Sequence, residues 1–343
     1  MQIRTSTIGH SMSNNNHVIP IVSEQSELCN DIAIMLLGKC NLDCDFCLNK
    51  VKESNYNKFI DQEFDPKVVL GYIQHLKQLK DNIVDKNDIN LTLYGGELFQ
   101  DKFDYNVYDQ LLTAIEDIFK DCLDKLSIAI FSNFLFKDPQ RVVNLLNKHC
   151  DKLDFNLTMS FDLVGRYTKP YMIPRVMDNF YYLTNNCQVK PQVTITGHRL
   201  NLESIMHKGL NFDSFEKLYN DAAVTITISN YINNPDVPQY AIDGEFLEKF
   251  WLFALENYPK ISNVQGILHP IPREQSKGCH ELILIGDTIN RCCNNVGSYL
   301  AEYQNKFGCL YCEYYKNCNE ICYFSQHSFD KCWRKSLFDK INE

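Results

Sequence analysis

Cys40-Asn41-Leu42-Asp43-Cys44-Asp45-Phe46-Cys47 follows closely on the apolar run Ile32-Ala33-Ile34-Met35-Leu36-Leu37. The run is short, has no polar interruption and contains Ile and Leu, so it suits a strand buried in a parallel sheet. The cysteines then sit on a loop at the C-terminal end of that strand, where α/β folds place their ligand sites. Their spacing is C-x3-C-x2-C. Three thiolates this close suit an iron–sulfur cluster, whose usual protein ligand is cysteine. A fourth local ligand is missing, because the next cysteine is Cys122. A [4Fe-4S] cluster on three thiolates keeps one iron open to a small molecule. The competing reading is structural zinc, which prefers four ligands at paired spacing.

Beyond the loop, helical and strand patterns alternate. Val68, Val69, Tyr72, Ile73, Leu76 and Leu79 form a helical stripe over Asp65 to Leu79. Asn90 to Tyr94 reads as a second strand and ends in Gly95-Gly96-Glu97, whose glycines permit close backbone approach and positive φ. Further strands are expected at Leu126 to Phe131, Phe155 to Ser160, Gln192 to Thr196 and Ala223 to Ser229. Helices are expected at Val107 to Cys122, Pro139 to His149, Ile173 to Leu183, Phe212 to Tyr219 and Glu245 to Tyr258. This alternation implies an α/β protein with a parallel sheet, and six units do not close an eight-stranded barrel. Cys122, Cys150 and Cys187 fall in or beside helices and read as buried small hydrophobes.

The chain has 343 residues, enough for one large domain and a small one, and 45% are hydrophobic. A net charge of −9 disfavours a general nucleic-acid surface. Its fifteen cysteines are an odd number, and the polar first twenty residues lack the apolar centre of a secretory signal. No apolar run reaches the ~18 residues of a membrane span. A cytoplasmic protein using cysteine for metals rather than disulfides is expected. Residues 1–30 read as an arm, 31–260 as the main domain and 261–343 as a cysteine-rich second domain.

Eight of the fifteen cysteines lie between Cys279 and Cys332. Glu281 to Ile285 and Thr288 to Arg291 flank Gly286-Asp287, a hairpin with a tight primed turn. Cys279 stands at its entrance and Cys292-Cys293 at its exit. Cys309, Cys312, Cys318, Cys322 and Cys332 follow at C-x2-C-x5-C-x3-C and one more. C-x2-C pairs also suit structural zinc, but the later spacing is not its usual paired pattern.

C-x3-C-x2-C with an aromatic, Phe46, before the third cysteine resembles the signature of radical S-adenosylmethionine (SAM) enzymes. The C-terminal run resembles their SPASM extension, and the likeness covers residues 31 to about 335. It implies a partial (β/α)6 TIM-type barrel carrying a small cysteine-rich domain. It implies three [4Fe-4S] clusters, one binding SAM on Cys40, Cys44 and Cys47, and two auxiliary. By position, Cys279, Cys292 or Cys293, and Cys322 would hold the first auxiliary cluster. Cys309, Cys312, Cys318 and Cys332 would hold the second. Gly95, Gly96 and Glu97 match the family's contact to the SAM amino group. Ser132 and Asn133 stand where relatives often have Thr-Asn-Gly, and Ser160 and Asp162 where they have Ser-x-Asp-Gly; both matches are partial. Arg166 or Arg175 is a candidate for the SAM carboxylate.

The resemblance implies reductive SAM cleavage and oxidative modification of a ribosomally made precursor peptide: a crosslink, a thioether or a Cα–Cβ change. It implies an electron donor such as flavodoxin or ferredoxin. Sulfatase-maturing relatives carry an aspartate base after the hairpin cysteine, where this chain has Cys293 or Asn294. A sulfatase-maturase-like or small-molecule enzyme is thus the alternative, and a non-catalytic iron–sulfur or zinc protein a further one.

Overall fold

A computed structural model of the chain describes residues 31–47, 65–82, 89–228, 237–268, 282–285, 288–291 and 333–342. Six parallel strands carry the fold: β1 (Asp31–Leu37), β2 (Ile89–Gly95), β3 (Leu126–Ser132), β4 (Asp154–Ser160), β5 (Gln192–Thr196) and β6 (Val224–Thr227). Neighbours in sequence are neighbours in the sheet. The hairpin also forms, as β7 (Leu282–Ile285) antiparallel to β8 (Thr288–Arg291). It does not stand apart. β7 pairs parallel with β1, Ile32 opposite Leu282, so the sheet runs β6-β5-β4-β3-β2-β1-β7-β8.

The expected helices are present as α1 (Pro66–Asn82), α2 (Tyr105–Ile118), α3 (Pro139–His149), α4 (Met172–Asn186), α6 (Phe212–Asp221) and α7 (Gly244–Asn257). Several begin where a side chain satisfies an orphan N–H. Asp104 accepts from Asn106 N, Asp138 from Gln140 N ahead of Pro139 at N1, and Asp243 from Phe246 N; each such cap contributes about 1 kcal/mol. Three helices were not expected: α5 (Arg199–Met206), α8 (Ser262–Leu268) and α9 (Trp333–Asn342). α5 is only two turns long and is capped by His198, whose Nδ1 accepts from Asn201 N at 3.2 Å.

The two faces of the sheet differ. Ile34, Leu91, Ile128, Leu157, Val193 and Ile226 share the face that packs against the helices, all 1% exposed or less. On the opposite face Thr92, Ser127, Asn156, Thr194 and Thr225 are half-buried or exposed. Parallel sheets usually bury apolar side chains on both faces; here the inner face is buried at Ala33 and Met35 of β1 and becomes more polar and accessible toward β6. No described helix is long and apolar enough to cross a membrane.

Candidate cofactor site

The cysteine loop leaves β1 at Leu37 and folds over the end of β2. Gly96 N–H donates to Leu37 O at 2.9 Å and Glu97 N–H to Lys39 O at 3.3 Å. A Cβ on Gly95, where φ is +156°, would stand 2.3 Å from Leu37 O, and one on Gly96 would stand 2.0 Å from Lys39 O. The glycine pair therefore admits the neighbouring backbone, beyond any ligand approach expected from sequence. Gln100 Nε2 donates to Lys39 O at 2.9 Å and pins the same loop.

Glu97 is 1% exposed. Its Oε1 accepts from Ser132 Oγ at 2.7 Å and from Phe99 N at 2.9 Å, and its Oε2 from Asn133 N at 2.6 Å. Burial pushes its carboxyl upward, against the pull of those three donors. The side chain thus joins the β2 and β3 loops. Asn133 Nδ2 in turn donates to Asn41 Oδ1 at 2.7 Å, and Asn41 Nδ2 to Leu135 O at 2.6 Å, tying the cysteine loop to β3.

Asp162 is fully buried. Its Oδ2 accepts from Arg166 Nε at 2.5 Å, and its Oδ1 from Thr196 N at 2.8 Å and Asn201 Nδ2 at 2.6 Å. Burial alone would lower the Arg166 pKa; the Asp162 carboxylate outweighs it and keeps the guanidinium charged. Arg175 is elsewhere, donating to Phe136 O and Lys137 O. Of the two arginine candidates only Arg166 reaches the cysteine loop. Asn201 and α5, which fix Asp162, carry no signal in the sequence that links them to it.

Phe46 packs in an aromatic trio. Its ring centroid lies 4.7 Å from that of His198 and 5.4 Å from that of Tyr240, and the Arg166 guanidinium lies 5.5 Å above it. Gly165, at φ +86°, makes room, since a Cβ there would meet the Tyr240 hydroxyl at 2.8 Å. His198 is fully buried, and among the described residues its Nε2 has no hydrogen-bond partner. Burial holds its pKa down at about 4. Sequence singled out Phe46 but neither His198 nor Tyr240, which lie far along the chain.

These loops enclose a cavity of about 350 Å³, within the range of small-molecule sites. Cys40, Cys44, Cys47 and Arg166 line it together with Ser132, Asn133 and Ser160, and Asn133 Nδ2 lies 3.7 Å from Cys40 Sγ. Gly95, Gly96 and Phe131 also line it, as do Gly38, Lys39, Leu42 and Asp43 of the cysteine loop. Of the residues singled out in sequence, the three loop cysteines, Gly95, Gly96, Ser132, Asn133 and Ser160 thus meet in one place. Glu97, Phe46 and Asp162 stand behind them as supports. Burial, then the Glu97 carboxylate, pushes the Cys40 thiol up to about 12. Among the described residues no three His, Cys, Asp or Glu side chains are grouped as ligands of one metal ion. Cys279, Cys292, Cys293, Cys309, Cys312, Cys318, Cys322 and Cys332 lie outside the described residues.

Among solved structures, the chain is similar to anSMEcpe, an anaerobic sulfatase-maturating radical SAM/SPASM enzyme. Native anSMEcpe with bound AdoMet and a Cp18Cys peptide matches at 13% identity and a TM-score of 0.60, over 90% of this chain and 94% of that one. The form with AdoMet and a Kp18Cys peptide matches at 12% and 0.61, over 91% and 97%. The fold is that of a radical SAM enzyme. No protein-family model and no curated protein matches the chain. Within this radical SAM fold the cavity lies at the C-terminal ends of β1 to β4, the end at which open α/β sheets and barrels bind ligands.

Proposed function

We propose that the chain is a radical SAM enzyme that oxidatively modifies a ribosomally made peptide. One observation carries the reading: three cysteines and a charge-locked arginine line a single cavity at the C-terminal ends of parallel strands. The donor set fits a cluster. All three thiols of the loop face the cavity, Cys44 buried and Cys40 and Cys47 half-buried. A cubane takes one thiolate per iron, so its cysteines need not converge on one point as the ligands of a lone zinc would.

Cys40, Cys44 and Cys47 would hold three irons of a [4Fe-4S] cluster, with Arg166, its Nε held by Asp162, offering its terminal amino groups to the carboxylate of SAM as a bidentate donor. Bound there, cluster and SAM supply reductive cleavage to methionine and a 5′-deoxyadenosyl radical. The chain's own part is positional. Glu97 sets the Ser132-Asn133 wall, Asp162 aims Arg166, and the His198–Tyr240 pair seats Phe46 beside the cysteines. Residues 261–343 are proposed as the SPASM domain with two auxiliary clusters, and a flavodoxin or ferredoxin as electron donor. The bound peptides of the neighbours support a peptide substrate.

Sulfatase maturation is a second reading, favoured by the neighbours' activity. The residue after Cys292 or Cys293 is not aspartate in this chain, which favours the first.

Anaerobic reconstitution with iron and sulfide, then SAM and dithionite, tests the proposal. The wild type should turn brown and release 5′-deoxyadenosine, and Cys44→Ala should do neither. Undiminished cleavage by Cys44→Ala would refute the cysteine assignment. A short peptide encoded beside the gene should lose two hydrogens per turnover; an unchanged peptide with continuing cleavage refutes peptide oxidation.

A further inference from the structure

The side-chain amide of Asn133 is aimed at a cysteine sulfur. Its Nδ2 lies 3.7 Å from Cys40 Sγ and 2.7 Å from Asn41 Oδ1, one hydrogen for each. The other end of the amide fixes which way it faces. Oδ1 accepts the Leu135 N–H at 2.8 Å, so the two N–H bonds point to the cysteine loop. This bond to the second residue along closes an Asx turn. The residue inside the turn, Phe134, is fully buried at φ +59°, a left-handed backbone that bulky residues rarely adopt. Three further bonds hold it there. Asn179 Nδ2 donates to Phe134 O at 2.8 Å, Phe134 N–H to Ser132 Oγ at 3.1 Å and Asn133 N–H to Glu97 Oε2 at 2.6 Å. Asn133 itself is 4% exposed.

Cys40 Sγ has a second donor, the Leu42 N–H at 3.4 Å. Asn41 Oδ1, 3.7 Å from the same sulfur, can accept from a thiol but not from a ligating thiolate. Asn133 serves both atoms: one N–H satisfies the oxygen and the other turns to the sulfur. Hydrogen bonds to its sulfurs help to set the reduction potential of an iron–sulfur cluster. Reduction adds one negative charge, shared with the thiolates, so an N–H donor stabilises the reduced form more than the oxidised one. Exclusion of water strengthens the effect. The Leu42 bond comes from the main chain and survives any residue there but proline. The Asn133 bond depends on its side chain.

We propose that Asn133 is a positioning residue that raises the reduction potential of the cluster on Cys40, Cys44 and Cys47 by donating a hydrogen bond to Cys40 Sγ. It brings that cluster within reach of a one-electron donor protein; one electron enters, and no bond at Asn133 forms or breaks. The inference rests on the radical SAM reading above and gives Asn133 a part that precedes SAM binding.

The test uses the full chain, reconstituted anaerobically and titrated with dithionite without SAM, with EPR as the readout. The component of the reduced spectrum that later addition of SAM shifts identifies the cluster on the cysteine loop. Asn133→Leu keeps the size and removes both N–H groups. Asn133→Asp keeps the bond from Leu135 N and sets an oxygen against the sulfur. Asn41→Ala cuts the tie between loop and β3 but leaves the N–H on Cys40 in place. The reduction equilibrium should become about tenfold less favourable in Asn133→Leu, about 59 mV for one electron. It should fall further in Asn133→Asp and stay unchanged in Asn41→Ala. An unchanged potential in both Asn133 variants, or an equal fall in all three, overturns the proposal. Loss of the SAM-responsive cluster from both Asn133 variants also overturns it, since Asn133 would then serve assembly and not potential. A wild type with no SAM-responsive component refutes the radical SAM reading. A responsive component whose potential ignores Asn133 refutes this inference alone.

Discussion

Glu97 Oε2 accepts the Asn133 backbone N–H at 2.6 Å, and that bond joins the strand end at β2 to the cavity wall at β3. Glu97→Gln would put an amide N–H₂ where donors already point. A loss of about 2–4 kcal/mol is expected for this buried mismatch, read as a lower urea midpoint of the cluster-free protein. SAM affinity of the reconstituted variant should fall with it, because Ser132 and Asn133 line the cavity. An unchanged midpoint would show that the three donors find other partners.

Arg166→Lys keeps the positive charge and loses the planar fork that Asp162 aims. SAM binding by calorimetry should weaken about ten- to a hundredfold. Arg175→Lys, at carbonyls away from the cavity, should leave it unchanged. Equal effects would remove Arg166 from the site.

His198 makes stability depend on pH. Its folded pKa of about 4 lies below the ordinary value of 6.5. The native state thus keeps the ring neutral where the unfolded chain takes a proton. The contribution is complete above pH 6.5 and is lost as pH falls toward 4, to a total of about 3 kcal/mol. Denaturant melts at pH 7, 6, 5 and 4 should show that slope, reduced in His198→Phe. Identical slopes would contradict it.

Two glycines should respond oppositely to alanine. Gly96→Ala drives a Cβ into Lys39 O, and relief would strain the Gly96–Leu37 and Glu97–Lys39 backbone hydrogen bonds that hold the cysteine loop. Loss of several kcal/mol, or of soluble protein, is expected. Gly71 lies within α1, and a Cβ there meets nothing within 4 Å. Gly71→Ala should raise stability by about 0.5–1 kcal/mol through helix propensity.

Where chemistry depended on local spacing, the sequence disclosed it. The C-x3-C-x2-C loop, the Gly95-Gly96-Glu97 turn and the six strands all arise from short-range patterns. What stayed hidden depends on contacts between distant segments. Nothing in Asp162 announces that Asn201 and Thr196 hold it. His198 and Tyr240 carry no periodic signal linking them to Phe46, and α5 is too short to show one. The two arginine candidates were equivalent until the fold put one at the cavity. The alternation in strands such as Gln192-Val193-Thr194-Ile195-Thr196 was in plain view, but its meaning needed the register of the adjoining strands.

β1 occupies the interior of its sheet only because β7, some 250 residues later, covers one flank. Truncating the chain near residue 260 would bare a row of unpaired backbone groups along Ile32 to Met35, in a wholly buried apolar strand that leads into the cysteine loop. Such an edge recruits foreign strands. The barrel therefore cannot be trimmed down to a minimal catalytic half: removing the tail would unroof the strand that carries the first cysteines.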